Sequence, residues 1–217
     1  MTSELRRDPF SRAYLQLRSD LTAVRSVPGD QILVNEVARR LKVSATLVRE
    51  ALARLAGERL VEDRRRHGYF VPLPGASELR GLYDLSELLC LAAIRQRASG
   101  VWKSANWAAS QHEAGEASDF DAVGVQLGRV LRLTDRQAVL DAGLLCLIRL
   151  SAGRRMEGDI FDAAAQAEGL AEPMRRGDWS RLASAVRAVH RTSRARAEHV
   201  ASTLSLHHRA RNKPNIV

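Results

Sequence analysis

The amino-acid chain has 217 residues, of which 45% are hydrophobic and 27% are charged. These proportions are ordinary for a globular protein and exclude a collagen-like or wholly disordered chain. The 34 lysines and arginines outnumber the 25 aspartates and glutamates, so the net charge is +9. A surplus of this size favours a polyanionic partner, although by itself it supports only non-specific attraction.

Neither a membrane nor an oxidising compartment is indicated by the sequence. No apolar run approaches the ~18 residues that a transmembrane helix needs, and residues 1–7 lack the apolar core of a signal peptide. The two cysteines, Cys90 and Cys146, each lie in an apolar stretch. This is typical of reduced thiols that serve packing rather than of a disulfide scaffold. These features predict a cytoplasmic protein with no membrane contact.

The positive charge is concentrated toward one end of the chain. Residues 1–75 carry 14 basic and 9 acidic side chains, a surplus of five, and the other 142 residues carry 20 and 16, a surplus of four. Two prolines and a glycine within residues 71–77 would interrupt any periodic element. We therefore predict two domains, residues 1–73 and 78–217, joined by a linker over residues 74–77.

Three helices are predicted in the N-terminal domain. Apolar residues at helical spacing indicate helices over residues 11–24 and 34–41. Ser44 is typical of an N-cap and would begin a third helix over residues 45–59. Arg49 lies away from the stripe of apolar side chains that this helix would bury, formed by Val48, Leu52 and Leu55.

A basic hairpin is predicted after the third helix. Apolar residues before and after residues 64–67 indicate two short strands joined by a tight turn. Gly68 would provide the unusual backbone angles that the turn needs. Two short helices joined by a turn and followed by such a hairpin describe a winged helix-turn-helix, whose second helix lies in a major groove of DNA.

The second helix of this motif begins with residues suited to nucleic acid. Serine and threonine can hydrogen-bond bases or phosphates, and an arginine one turn on can make the bidentate contact to guanine. The basic turn can reach phosphates or a minor groove. The alternatives are an Arg49 that pairs with a neighbouring acid and a turn that is merely solvated. The predicted DNA-contacting set is Ser44, Thr46, Arg49, Arg64, Arg65, Arg66, His67 and Gly68.

Residues 41–55, LKVSATLVREALARL, resemble the GntR-family signature L-G-V-S-R-T-P-V-R-E-A-L-x-x-L. Residues 58–61 are similar to that family's E-G-L-V, and residues 68–71 to its wing pattern G-x-x-V. The resemblance implies a transcription regulator that binds operator DNA as a homodimer. Ala45 stands where the family usually has arginine, which predicts the loss of one contact, and Leu47 replaces a common proline.

The C-terminal domain is predicted to be all-helical. Periodic apolar residues indicate helices over residues 78–98, 120–133, 136–150, 160–175 and 179–206. Asp178 is expected to cap the last of these helices. Trp102 and Trp107 lie in a segment that fits either a helix or a capping loop, and core packing is favoured for both and for Trp179. A solvated tail is expected after His207, with disorder over residues 209–217.

This second part resembles the effector-binding domain of the FadR-like branch of the GntR family. The resemblance rests on residues 82–85 (LYDL) and 176–178 (RGD). Many such domains bind a divalent metal through an aspartate and three histidines. In this chain Gln126 and Ala167 stand near two of the histidine positions, so His190 alone remains and cannot make that site.

The family's R-x-x-x-E in the first helix of this domain is replaced by Ser86 and Cys90. We therefore expect no metal, no cofactor and a pocket less suited to an anionic ligand. A core or surface role is more typical of His190 than a ligand role. The candidate effector-binding residues are Ser86, Gln126 and His190.

The sequence thus predicts a mainly α fold, with an N-terminal winged helix-turn-helix that carries a small β-hairpin wing and a C-terminal all-α helical bundle. The predicted function is a metabolite-responsive transcription regulator whose partners are double-stranded DNA, a second copy of itself and an unidentified small-molecule effector. The alternative is a constitutive DNA-binding or architectural dimer whose helical domain binds no ligand. An enzyme is not expected, because the sequence has no glycine-rich phosphate loop, H-E-x-x-H or G-x-S-x-G motif.

Overall fold

The computed structural model describes residues 8–22, 26–100, 121–158 and 162–211. The chain divides into two compact units, one of Met1–Leu73 with Ser205–Val217 and one of Pro74–Leu204. Trp102 and Trp107 lie outside the described residues, as do residues 212–217 of the predicted tail. Among the described residues, no helix is long and apolar enough to cross a membrane.

The first unit contains the predicted winged helix-turn-helix. Its helices are α1 (Pro9–Thr22), α2 (Val34–Leu41) and α3 (Ala45–Gly57). Its strands are β1 (Gln31–Ile32), β2 (Glu62–Arg64) and β3 (Gly68–Phe70), which form an antiparallel sheet in the order β1-β3-β2. The predicted hairpin is confirmed as β2 and β3. The strand β1 was not predicted, because two residues are too few to show the alternation that identifies a strand.

Local chemistry explains where α2 and α3 begin and end. Lys42 follows α2 with a φ of 56°, the left-handed conformation that commonly ends a helix. Ser44 then caps α3 by accepting a hydrogen bond of 3.2 Å from the backbone N–H of Leu47. The predicted stripe on α3 is fully buried at Val48, Ala51, Leu52 and Leu55. This burial fixes which face of α3 remains exposed.

The second unit is all-helical over the described residues. It contains α4 (Ala76–Ala98), α5 (Ala122–Leu131), α6 (Gln137–Gly158), α7 (Ala163–Arg176) and most of α8 (Trp179–Arg211). Asp178 caps α8 as predicted, since its Oδ1 accepts a hydrogen bond of 2.9 Å from the N–H of Arg181. The largest apolar cluster of the unit joins side chains from all five helices.

Three of these helices are longer than the sequence predicted. Helix α4 begins at Ala76, inside the predicted linker, because the last proline of that segment is Pro74. Helix α6 continues for eight residues beyond Leu150, and α8 continues through Arg211, so residues 209–211 are helical. The extension of α6 buries Ser151, Arg154 and Glu157. Polar residues at buried positions interrupt the apolar pattern on which the prediction depended. The extra turns of α6 carry a cluster of polar side chains that the sequence did not reveal.

A candidate nucleic-acid interface and a buried polar cluster

The exposed face at the start of α3 presents the predicted contact residues. Ser44, Thr46 and Arg49 are all exposed, whereas Val48 on the opposite face is fully buried. Arg49 makes no hydrogen bond or ion pair with any described residue, so the alternative pairing with Glu50 is not observed. The Ser44 hydroxyl oxygen accepts the capping hydrogen bond, and its proton remains available for a phosphate or base.

The tip of the wing is a tight turn closed by a hydrogen bond of 2.8 Å from the His67 N–H to the Arg64 carbonyl. Arg66 and Gly68 have φ angles of 65° and 92°, so the turn uses the left-handed region that glycine tolerates best. Gln31 on β1 braces the turn, because its Nε2 donates a hydrogen bond of 2.7 Å to the His67 carbonyl. The sequence held no signal for this role of Gln31.

Arg64 differs from the other arginines of the wing. Its guanidinium donates to Glu62 at 2.7 and 3.0 Å and lies 4.2 Å from the centre of the Phe70 ring. The Phe70 contact joins β2 to β3, whereas the Glu62 carboxylate lies on the same strand as Arg64 and neutralises its charge. Arg65 and Arg66 are exposed, and their side chains make no hydrogen bond or ion pair with any described residue. The arginines of the wing that have no partner among the described residues therefore lie at its tip.

In the helical unit, two of the three predicted effector-binding residues contact each other. His190 is fully buried, its Nδ1 donates to the Val186 carbonyl at 2.8 Å, and its Nε2 lies 2.9 Å from Ser86 Oγ. Burial, together with the positive charge of Arg154, lowers the pKa of His190 to about 3. The ring is therefore neutral at pH 7, so Nε2 accepts the hydrogen bond from Ser86. Gln126 is bonded elsewhere, to Arg129 at 3.4 Å.

A second buried polar group lies on α4, α6 and α8. Glu157 accepts hydrogen bonds from the Tyr83 hydroxyl at 2.7 Å and from Ser193 Oγ at 3.2 Å. Arg154 is buried beside them, with its Cζ 5.6 Å from the centre of the Tyr83 ring. Burial raises the pKa of Tyr83, as does the negative charge of Glu157, so the phenol remains a donor. These residues have no motif or spacing that identifies them in the sequence.

No metal centre is visible in the parts of the chain that the structure describes. Among those residues, no group of three or more histidine, cysteine, aspartate or glutamate side chains is placed to hold an ion. Cys90 and Cys146 are buried, and burial raises their pKa values to about 12 and about 11. Both are therefore neutral thiols at pH 7 and poor ligands. Absence of a metal remains a prediction for the whole chain.

Comparisons with known proteins find a family match in the first unit and solved structures of similar fold along most of the chain. Residues 9–71 match the family of bacterial regulatory proteins called gntR. The Nta operon transcriptional regulator of Aminobacter aminovorans is 36% identical over 96 residues, which are 42% of this chain and 46% of that regulator. The match thus spans about half the length of that curated relative.

Two solved structures share the fold along most of the chain. McbR/YncC of E. coli has a TM-score of 0.66 and 16% identity, and the match covers 88% of this chain and 98% of that one. A GntR-type transcriptional regulator from Rhodococcus sp. RHA1 has a TM-score of 0.68 and 18% identity, covering 87% and 96%. The Aminobacter and Rhodococcus proteins are both described as transcriptional regulators, which supports a non-enzymatic role at the level of the family.

Family and fold agree with the winged helix-turn-helix and the helical unit described above. The family match lies on α1 to β3, where the exposed start of α3 and the wing are found. The structural matches extend over the helical unit. Residues 9–71 therefore form a domain of the gntR family of bacterial regulatory proteins.

Proposed function

We propose that this protein is a cytoplasmic transcription regulator that binds operator DNA as a homodimer and changes its DNA affinity when a metabolite binds the helical unit. The observation that carries the proposal is the exposed, unpaired Arg49 on the first turns of α3, beside Ser44 and Thr46. A guanidinium in that position can donate two hydrogen bonds to O6 and N7 of a guanine in a major groove.

The wing would supply contacts of a different kind. Arg65 and Arg66 at its tip have no partner among the described residues, so their charges are available to phosphates or to a narrow minor groove. Such contacts position the protein on DNA without reading the sequence. Ala45 offers no polar side chain, so base reading at this end of α3 depends on Thr46 and Arg49.

A homodimer would double the length of DNA that is read. One winged module contacts only a few base pairs, and two related by a two-fold axis recognise two half-sites. Leu85 and Leu88 on α4 support a self-association surface, because their side chains are 42% and 62% exposed. They lie three residues apart on one helix and so share a face. Exposed leucines of this kind mark an interaction site when they adjoin each other.

The metabolite response would operate by linkage. A ligand that binds one arrangement of the helical unit more tightly than another shifts the population of DNA-competent dimers by that difference in affinity. The buried polar residues on α4, α6 and α8 support this proposal, because a small ligand is oriented by a few polar side chains within an otherwise apolar core. The alternative remains a constitutive DNA-binding dimer, in which no small molecule changes operator affinity.

Selection of bound fragments from the genomic DNA of the source organism tests the proposal. We expect enrichment of fragments that contain two inverted half-sites spaced by about one helical turn, 10–10.5 base pairs. The genes beside those fragments would indicate the chemistry of the effector. Recovery of fragments in proportion to their abundance, with no common sequence, would contradict sequence-specific binding.

A further inference from the structure

Three residues other than glycine have a left-handed backbone in the described parts of the chain, and all three are cations. Lys42, Arg59 and Arg66 have φ angles of 56°, 57° and 65°. Each is exposed, and none of the three side chains makes a hydrogen bond or ion pair with any described residue. All three lie in the first unit, which contains the winged helix-turn-helix. This unit thus carries unpaired positive charge at backbone positions that suit glycine better.

Lys42 occupies a position where glycine would be more stable. It follows α2, and its N–H closes that helix by donating to the carbonyls of Ala38 and Arg39. The Cβ atom of an L-residue disfavours a positive φ, and the GntR signature L-G-V-S has glycine at this position. Lysine therefore lowers the local stability at residue 42. Such a conformation persists where the side chain has a role that glycine cannot fill.

The partial negative charge at the end of α2 is not a sufficient reason for this lysine. A cation near the C-terminus of a helix is favourable, but Arg39 and Arg40 already lie in the last turn of α2. Arg40 is in addition paired with Asp20. Because Lys42 has no acidic partner among the described residues, its charge is not used within the fold.

The acidic residues around this turn leave a positive surplus. Residues 36–50 contain four basic and two acidic side chains. Without the paired Arg40, the surplus is one. Glu36 and Glu50 are the two acids, both are exposed, and neither forms an ion pair with Lys42. The turn between α2 and α3 therefore attracts an anion.

Lys42 lies next to the groups that the helix-turn-helix presents to DNA. It is two residues before Ser44, which caps α3, and four before Thr46. In a helix-turn-helix the first helix crosses the DNA backbone and the start of the second enters the major groove, so the turn between them adjoins phosphates. Ala45 has no polar side chain at this end of α3, and Lys42 is the cation nearest to it in the sequence.

We infer that Lys42 binds a phosphate of the DNA backbone at the edge of the major groove that α3 enters; this inference rests on the proposed DNA binding and adds a contact that glycine cannot make. An ammonium group on a flexible stem donates hydrogen bonds in several directions, which suits a phosphate better than a base edge. The contact replaces charge that is lost at Ala45. It positions α3 in the groove and carries no sequence information. The lysine thus lowers local stability and raises DNA affinity.

Substitution by glycine tests the inference, with Arg59→Gly as the matched control. Arg59 has nearly the same φ and also stands at a glycine of the family pattern E-G-L-V. It follows α3, however, about 20 Å from the start of this 13-residue helix. Each substitution removes one positive charge and one disfavoured backbone conformation, so each should raise Tm by a few degrees.

Only Lys42→Gly should reduce the slope of log affinity against log salt. We expect a reduction of about 0.9 for each bound chain, which weakens binding about eightfold at roughly 0.1 M salt. Fluorescence anisotropy measures the slope on a fragment selected from genomic DNA and on an unrelated duplex of the same length. Lys42→Gly should weaken binding to both by the same factor, and Lys42→Arg, which keeps the charge, should retain the native slope.

Three results overturn the inference. The first is a native slope in Lys42→Gly, and the second is an equal reduction of the slope in Arg59→Gly. The third is a loss of affinity confined to the selected fragment, because Lys42 would then contact a base and not a phosphate.

The native chain separates this inference from the proposed function. Equal affinity of the native chain for both duplexes refutes operator recognition, and a reduced slope in Lys42→Gly would still support the phosphate contact. Preference of the native chain for the selected fragment, together with a native slope in Lys42→Gly, supports operator recognition and overturns only the contact at Lys42.

Discussion

At the scale of single residues, burial determines the protonation state and the hydrogen-bond partners of His190. From the sequence, His190 is a candidate to bind a metal or an effector, although a core or surface role is more typical of such a histidine. In the structure it is fully buried, and both ring nitrogens are engaged, Nδ1 by the Val186 carbonyl and Nε2 by Ser86. A histidine bonded in this way holds α4 and α8 together and has no lone pair to give to a metal.

We predict that His190 makes the helical unit lose stability as the pH falls from about 6.5 toward 3. Burial lowers the pKa of His190 to about 3 in the folded chain, and the pKa in the unfolded chain is about 6.5. Below pH 6.5 only the unfolded chain binds the proton, so unfolding is favoured, by up to about 5 kcal/mol at pH 3. Above pH 6.5 this residue contributes no pH dependence. Urea unfolding of the native chain at pH 7, 5.5 and 4.5 measures the effect.

The controls for this prediction are two glutamine substitutions on α8. His190→Gln should flatten the dependence of stability on pH between 4.5 and 6.5. His199→Gln, at an exposed position of the same helix, should leave it unchanged. A His190→Gln chain with the native pH dependence would show that another group titrates in this window.

We predict that the purified chain retains no stoichiometric zinc or nickel. A site for these ions needs three or more ligands, and His190 already uses both of its ring nitrogens within the core. Elemental analysis after incubation with either ion and exhaustive dialysis is the measurement. One equivalent of bound metal per chain would contradict the expectation, and loss of that metal in His190→Ala would place it at His190.

At the scale of elements, prediction from sequence succeeded where a pattern repeats along the chain. The stripe on α3 and the cap at Ser44 were predicted and are confirmed, because each depends on local spacing and local hydrogen bonds. The strand β1 was missed, since it exists only through pairing with β3. The end of α6 was missed, since Arg154 and Glu157 are polar and their burial depends on contacts with other helices.

The same distinction applies to the candidate sites. The exposed arginine of α3 was predicted from its position in a motif. The ion pair between Arg64 and Glu62 was not predicted, because a contact between side chains depends on the geometry of the hairpin. The buried cluster on α6 has no spacing that identifies it in the sequence.

We predict that the tip of the wing contributes to DNA binding without contributing to specificity. Replacing Arg65 and Arg66 by alanine should weaken binding to all DNA sequences alike and reduce the slope of log affinity against log salt by about 1.8, or 0.9 for each phosphate contact. Fluorescence anisotropy at several salt concentrations measures this slope. Arg64→Ala is the control, because its charge is already paired with Glu62, and it should change the slope much less. An equal change of the salt slope in the Arg65/Arg66 variant and in Arg64→Ala would show that the tip arginines make no special contribution to phosphate contacts.

At the scale of the whole molecule, the proposed activity requires two copies. We predict that the native chain forms a dimer of twice its 24.0 kDa mass, and that Leu85→Glu with Leu88→Glu yields monomers, because two buried carboxylates would lack partners at the interface. Light scattering coupled to size exclusion measures the mass. Leu206→Glu is the control, since Leu206 is 63% exposed on α8, and should remain dimeric. A native monomer, or a dimer unaffected by the double substitution, would contradict this placement of the interface.

Binding of α3 in a major groove through Arg49 is tested by the operator affinity and base preference of an Arg49→Ala variant. On a fragment selected from genomic DNA, Arg49→Ala should cost about 1–3 kcal/mol of binding free energy and relax the preference at one base position. Arg187→Ala, at an exposed arginine on α8, is the matched control and should bind as the native chain does. Unchanged affinity and unchanged base preference for a folded Arg49→Ala chain would show that Arg49 does not contact a base.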